Sequence, residues 1–176
     1  MTLSLAPLAL LAAAAIALAA PASAQAPGMV PGVHDVHLKG IGEVRFGMTV
    51  KQACVAAGVH MTKGRVNQCT YLEAGPPGTG PGPTLMFVGG KLRVVSTSRP
   101  RRDFSTPKGV GVGTKLRRVR RLYPGGERTI NIGAPGGFNL VWKRGRARRF
   151  VFEIYNGRVF GIKSGVMPWI KWQECA

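Results

Sequence analysis

The rhythm of apolar and polar positions changes several times along the chain. Leu3 to Ala20 is an almost unbroken apolar run, followed by the small residues Ala22-Ser23-Ala24. That pattern predicts a signal peptide over residues 1–24, cleaved after Ala24. The run is about long enough to span a bilayer, so a retained anchor is the alternative. No later stretch is apolar enough to cross a membrane as a helix. Residues 25–38 contain Pro27, Gly28, Pro31 and Gly32 and read as a flexible lead-in.

Two stretches then carry a helical period. Val50, Ala53, Cys54 and Ala57 share one helix face, as do Leu116, Val119, Leu122 and Tyr123. Thr49 and Thr114 stand where N-caps are expected, and Gly58, Pro124 and Gly125 where the helices should stop. Between and after the helices the pattern is that of strands. Leu85–Val88 turns at Gly89-Gly90 into Lys91–Ser96, and Phe152–Tyr155 turns at Asn156-Gly157 into Arg158–Ser164. Both dipeptides supply the positive φ angles of two-residue hairpins. Gln68–Glu73, Thr129–Ile132 and Phe138–Lys143 read as further strands, and residues 74–83, rich in Gly and Pro, as a long loop.

The order of these elements repeats. The expected helix starts are offset by 65 residues and the hairpins by 67. The sequence therefore predicts an α+β fold, a tandem duplication of a short helix followed by a three- or four-stranded antiparallel sheet. The first unit would cover residues 39–107 and the second residues 108–176.

Charge changes the picture more than composition does. The chain has 25 Lys and Arg against 7 Asp and Glu, a net +18. Residues 25–107 account for +6 of this and residues 108–176 for +12. Such a balance implies attraction to polyanions. Two clusters in the second half are candidate anion- or partner-binding residues. One is Arg117, Arg118 and Arg121 on the second helix, with Lys115 and Arg120 nearby. The other is Lys143, Arg144, Arg146, Arg148 and Arg149 between two strands. Arginine suits bidentate contact with phosphate or carboxylate.

The cysteines are Cys54, Cys69 and Cys175. An oxidising compartment would pair two of them and leave one over. Cys54–Cys69 is favoured, since it closes a short loop and the helix period aims Cys54 at the sheet; Cys69–Cys175 stays open.

Phe46-Gly47-Met48-Thr49 and the helix after it resemble the helix-plus-sheet repeat of the β-lactamase inhibitory proteins, which are secreted and carry two copies. The stretch is similar too to the small lipoprotein of the outer-membrane barrel-assembly machine. The resemblance implies a Cys pair linking helix and following strand, at Cys54 and Cys69. The second copy departs from the motif at Gly113-Thr114, which lacks the Met.

Catalytic chemistry is sparse. His34-Asp35-Val36-His37 has a metal-like look, but residues three apart in an extended segment face opposite sides. No motif places two of the carboxylates as an acid and a nucleophile, and alternation with Phe152 and Ile154 puts Glu153 toward solvent. No catalytic residue, metal site or cofactor is expected. The sequence thus predicts an exported, non-catalytic binding or accessory protein of the cell envelope or exterior. Its expected partner is an envelope or secreted protein, or an anionic envelope polymer or lipid headgroup; export disfavours nucleic acid. The alternative is a secreted inhibitor of a hydrolase such as a β-lactamase, and a hydrolase is the third reading. That third reading needs a cleft holding two of His60, Glu73, Glu127 and Glu153.

Overall fold

The structure is a computed structural model and describes residues 35–58, 61–74, 82–98, 104–130 and 136–170. The expected signal peptide, His34, His60 and Cys175 lie outside the described residues.

The expected α+β duplication is not the architecture found. The protein is mostly β: an eight-stranded antiparallel sheet and a three-stranded sheet, with two helices of 8 and 7 residues. The small sheet comprises β1 (Val36–His37), β2 (Gly40–Ile41) and β3 (Val44–Arg45). Helix α1 (Val50–Ala57) is followed by β4 (Met61–Val66), β5 (Cys69–Ala74), β6 (Thr84–Val88) and β7 (Lys91–Thr97). Helix α2 (Leu116–Leu122) is followed by β8 (Glu127–Ile130), β9 (Phe138–Arg144), β10 (Arg148–Tyr155) and β11 (Arg158–Val166). The eight long strands form one sheet in the order β4-β5-β6-β7-β11-β10-β9-β8. What makes it one sheet is the antiparallel pairing of β7 with β11, from Val94↔Gly165 to Thr97↔Ile162. The strands of the two expected units therefore run on as one continuous sheet.

Local signals act as the sequence suggests in several places. Thr49 caps α1 in a reciprocal box with Gln52, and Gly58 ends the helix in the left-handed region. Asn156 and Gly157 both adopt positive φ at the β10–β11 turn. Helix α2 differs. Its N-cap is Lys115, without a side-chain hydrogen bond. Thr114 instead accepts from the Gly111 amide at 3.1 Å and closes the turn before the helix.

Alternation along each strand sorts side chains onto two faces. On β10, Phe150, Phe152 and Ile154 enter the main core, where Ala53 and Ala57 of α1, Val119 of α2, and Val36, Ile41 and Val44 of the small sheet meet them. Removal of such side chains from water contributes roughly 1.5–3 kcal/mol each, which a helix of two turns needs in order to persist. On the opposite face Cys69, Met86, Val88, Val94 and Val151 form a second cluster, covered by Met167, Trp169 and Ile170. Tail packing over the sheet is thus what Trp169 does.

The small sheet was missed in sequence, and its β1 ends the segment expected as lead-in. It is tied to distant parts of the chain: the Val36 amide donates to Ser105 at 2.8 Å, and the Ser164 hydroxyl donates to the His37 carbonyl at 2.8 Å.

Candidate anion-binding surface

The two basic clusters are brought together by an aromatic stack. Tyr123 ends α2 and points inward, 98 % buried in effect by Trp142, Phe150 and Phe152 at centroid distances of 5.1, 5.6 and 4.9 Å. Trp142 belongs to β9, two residues before Arg144, and lies opposite Phe150 of β10. The carboxyl end of α2 therefore rests beside the strands that lead into the β9–β10 turn. Burial raises the pKa of the Tyr123 phenol above its ordinary value, against the opposing pull of hydrogen bonds with the Thr106 side chain and the Lys108 backbone.

Lys108, which belongs to neither basic cluster of the sequence, joins them. Its ammonium donates to the Leu122 carbonyl at 2.8 Å, at the end of α2. The same ammonium lies 5.1 Å from the Tyr123 ring and 5.9 Å from the Trp142 ring. It offsets the negative end of the helix and leaves a cation over the aromatic seam. No sequence signal marks it, because its partners lie 14 and more residues away.

The expected binding residues then divide by what they touch. Arg117, Arg118, Arg120 and Arg121 of α2 are exposed, as are Arg144, Arg146 and Arg148 of the hairpin. By alternation Arg144 and Arg148, cross-strand partners, stand on the same sheet face as Trp142 and Phe150, which is the face α2 covers. Lys143 and Arg149 do not join them. Both stand on the other face; Lys143 forms an ion pair with Glu127, and Arg149 donates to the carbonyls of Gly145, Arg146 and Arg148, closing its own turn.

Carboxylates are spent elsewhere. In residues 108–170 they are Glu127 and Glu153. Glu127 takes Lys143, and Glu153 takes Lys163 at 2.7 Å. Glu153 is only 7 % exposed, which corrects the expectation that it faces solvent. It points to the face opposite α2, beside Gly161 and Asn139 of the neighbouring strands. None of the seven exposed arginines has a carboxylate partner among the described residues.

Three other expectations meet the structure here. The Cys54–Cys69 bond is not formed. Cys54 carries a free thiol at the edge of the main core, while Cys69 is buried in the cluster on the far face and engaged elsewhere, so the sheet separates them. His37 uses its ring inside its own turn: Nδ1 accepts from the Lys39 amide at 3.2 Å, and Nε2 lies 3.1 Å from the Gly42 carbonyl oxygen. Glu73 lies on β5, four strands from the β10 that carries Glu153, a separation of about 19 Å at strand spacing.

No protein-family model matches the chain, and no curated protein matches its sequence. Among solved structures it is similar to the uncharacterised protein YfeY from Escherichia coli. The TM-score is 0.56 at 14 % identity, over 74 % of this chain and 99 % of that one. The likeness is one of fold.

Proposed function

We propose that this chain is an exported, non-catalytic accessory protein of the cell envelope or exterior that docks onto an anionic partner through α2 and the β9–β10 hairpin. One observation carries the reading: the described carboxylates of the second half are paired with lysines, and seven exposed arginines on and beside α2 have no carboxylate partner among the described residues. Solvated arginines of one sign repel one another, and a bound polyanion removes that repulsion. The apolar run over residues 3–20 supports export. No feature of this surface favours the inhibitor alternative.

The test is capture from native envelope and culture fluid with residues 25–176, at low and high salt, beside R117Q/R118Q/R121Q. The expected result is an anionic partner retained by the parent and lost from the variant. Capture that the variant leaves unchanged would sink the reading.

A further inference from the structure

The arginine surface has a shape and a composition that select among anionic partners. We infer that its ligand is a linear polyanion, a polymer carrying phosphate or carboxylate groups, which runs along α2, over Lys108 and onto the β9–β10 hairpin. This rests on the docking role proposed above and names the ligand's class.

Continuity is the first ground. Lys108 lies against both the last carbonyls of α2 and the Trp142 ring. Arg118 of α2 approaches Gly109, next to Lys108, and Arg144 and Arg148 share the sheet face of Trp142, so cations lie on both sides of Lys108. The helix supplies about 6 Å of this path between Arg117 and Arg121. The strand supplies about 7 Å between Trp142 and Arg144. A single small anion engages one part of the path; only an extended one engages all of it.

The kind of cation is the second ground. The ion pairs with Glu127 and Glu153 use lysine, whereas the exposed cations of α2 and the hairpin without a carboxylate partner among the described residues are arginines. Guanidinium forks match the paired oxygens of phosphate and carboxylate. All seven are exposed, so contact is made along a surface and not inside a cavity.

The third ground separates a polymer from a lipid surface. Interfacial docking combines cations with apolar side chains that enter the headgroup layer. Here the outward positions of α2 are arginines, and the turn reads Arg144-Gly145-Arg146-Ala147-Arg148. Trp142 is packed against Tyr123, and Trp169 is on the opposite face of the sheet. The exposed Val55, Val66 and Ile130 belong to α1, β4 and β8, and the exposed Tyr155 and Phe160 flank the β10–β11 turn, which meets the Lys115 end of α2 and not its Lys108 end.

The experiment titrates residues 25–176 with polyphosphates of increasing length and with phosphatidylglycerol vesicles. It compares the parent with R117Q/R118Q/R121Q and with R144Q/R146Q/R148Q, each checked for an unchanged melting profile. Long polyphosphate is expected to bind about 100-fold more tightly than triphosphate, as two linked contacts do. Each triple variant should abolish that gain and lower the slope of log affinity against log salt by about 2–3. Affinity independent of length, or vesicles preferred over long polyphosphate, would overturn the linear polyanion; if the α2 variant still lost binding, the docking surface itself would stand. Binding that neither triple variant alters would overturn both.

Discussion

At the residue scale the buried ion pair is the sharpest feature. Gly161 lies opposite Glu153, and a Cβ there would collide with the Glu153 carboxylate. Gly161→Ala therefore displaces the carboxylate and weakens its pair with Lys163. We expect a loss of about 1.5–3 kcal/mol, as for a hydrogen bond to a charged group, read by urea unfolding; a loss under 0.5 kcal/mol would show that the pair relaxes freely. Cys54 gives a second prediction. Alkylation in denaturant without reductant should modify it, and protection of Cys54 until a reductant is added would contradict the free thiol. Tyr123 gives a third. Its folded pKa is raised, so the native state holds the proton more tightly than the unfolded chain. That contribution is full below the ordinary phenol pKa of 10.0 and is lost as pH climbs above it. Tyr123→Phe should flatten this alkaline loss of stability in melts between pH 9 and 11.

At the element scale the two helices differ in how much of their stability is local. Helix α1 has a complete capping box, so Thr49→Ala should cost about 1 kcal/mol by chemical denaturation. Helix α2 has none and rests on Val119, Tyr123 and Lys108. Local chemistry of this kind was readable in advance: Thr49, Gly58 and the Asn156-Gly157 turn act within a few residues of themselves. The small sheet was not readable, because strands of two residues show no period. Gly40 is a case in point. Its φ of 146° and the close approach of the Val44 carbonyl require glycine, but in sequence it is one glycine among 25. Nor was the face of Cys69 or Glu153 readable, since alternation tells which residues share a face and not which face is covered.

For the whole molecule, the dominance of β structure and the joining of the halves are what local pattern does not carry. Each half offers its own hairpin signal, and nothing local tells β7 that its other neighbour is β11, more than 60 residues on. The arginine surface was legible as composition and became a surface only when the Tyr123–Trp142 contact set α2 beside the hairpin. Residues 104–170 alone should lack cooperative melting, because they forfeit the β7 partner of β11 and the small sheet beneath Ser164. A sharp transition for that fragment would contradict this.

The strand order makes β11 the keystone of the sheet. It sits between β7 and β10, so its placement satisfies the inner edges of both. A change that keeps β11 from pairing would therefore bare two edges at once and part the remaining strands into sets of four and three.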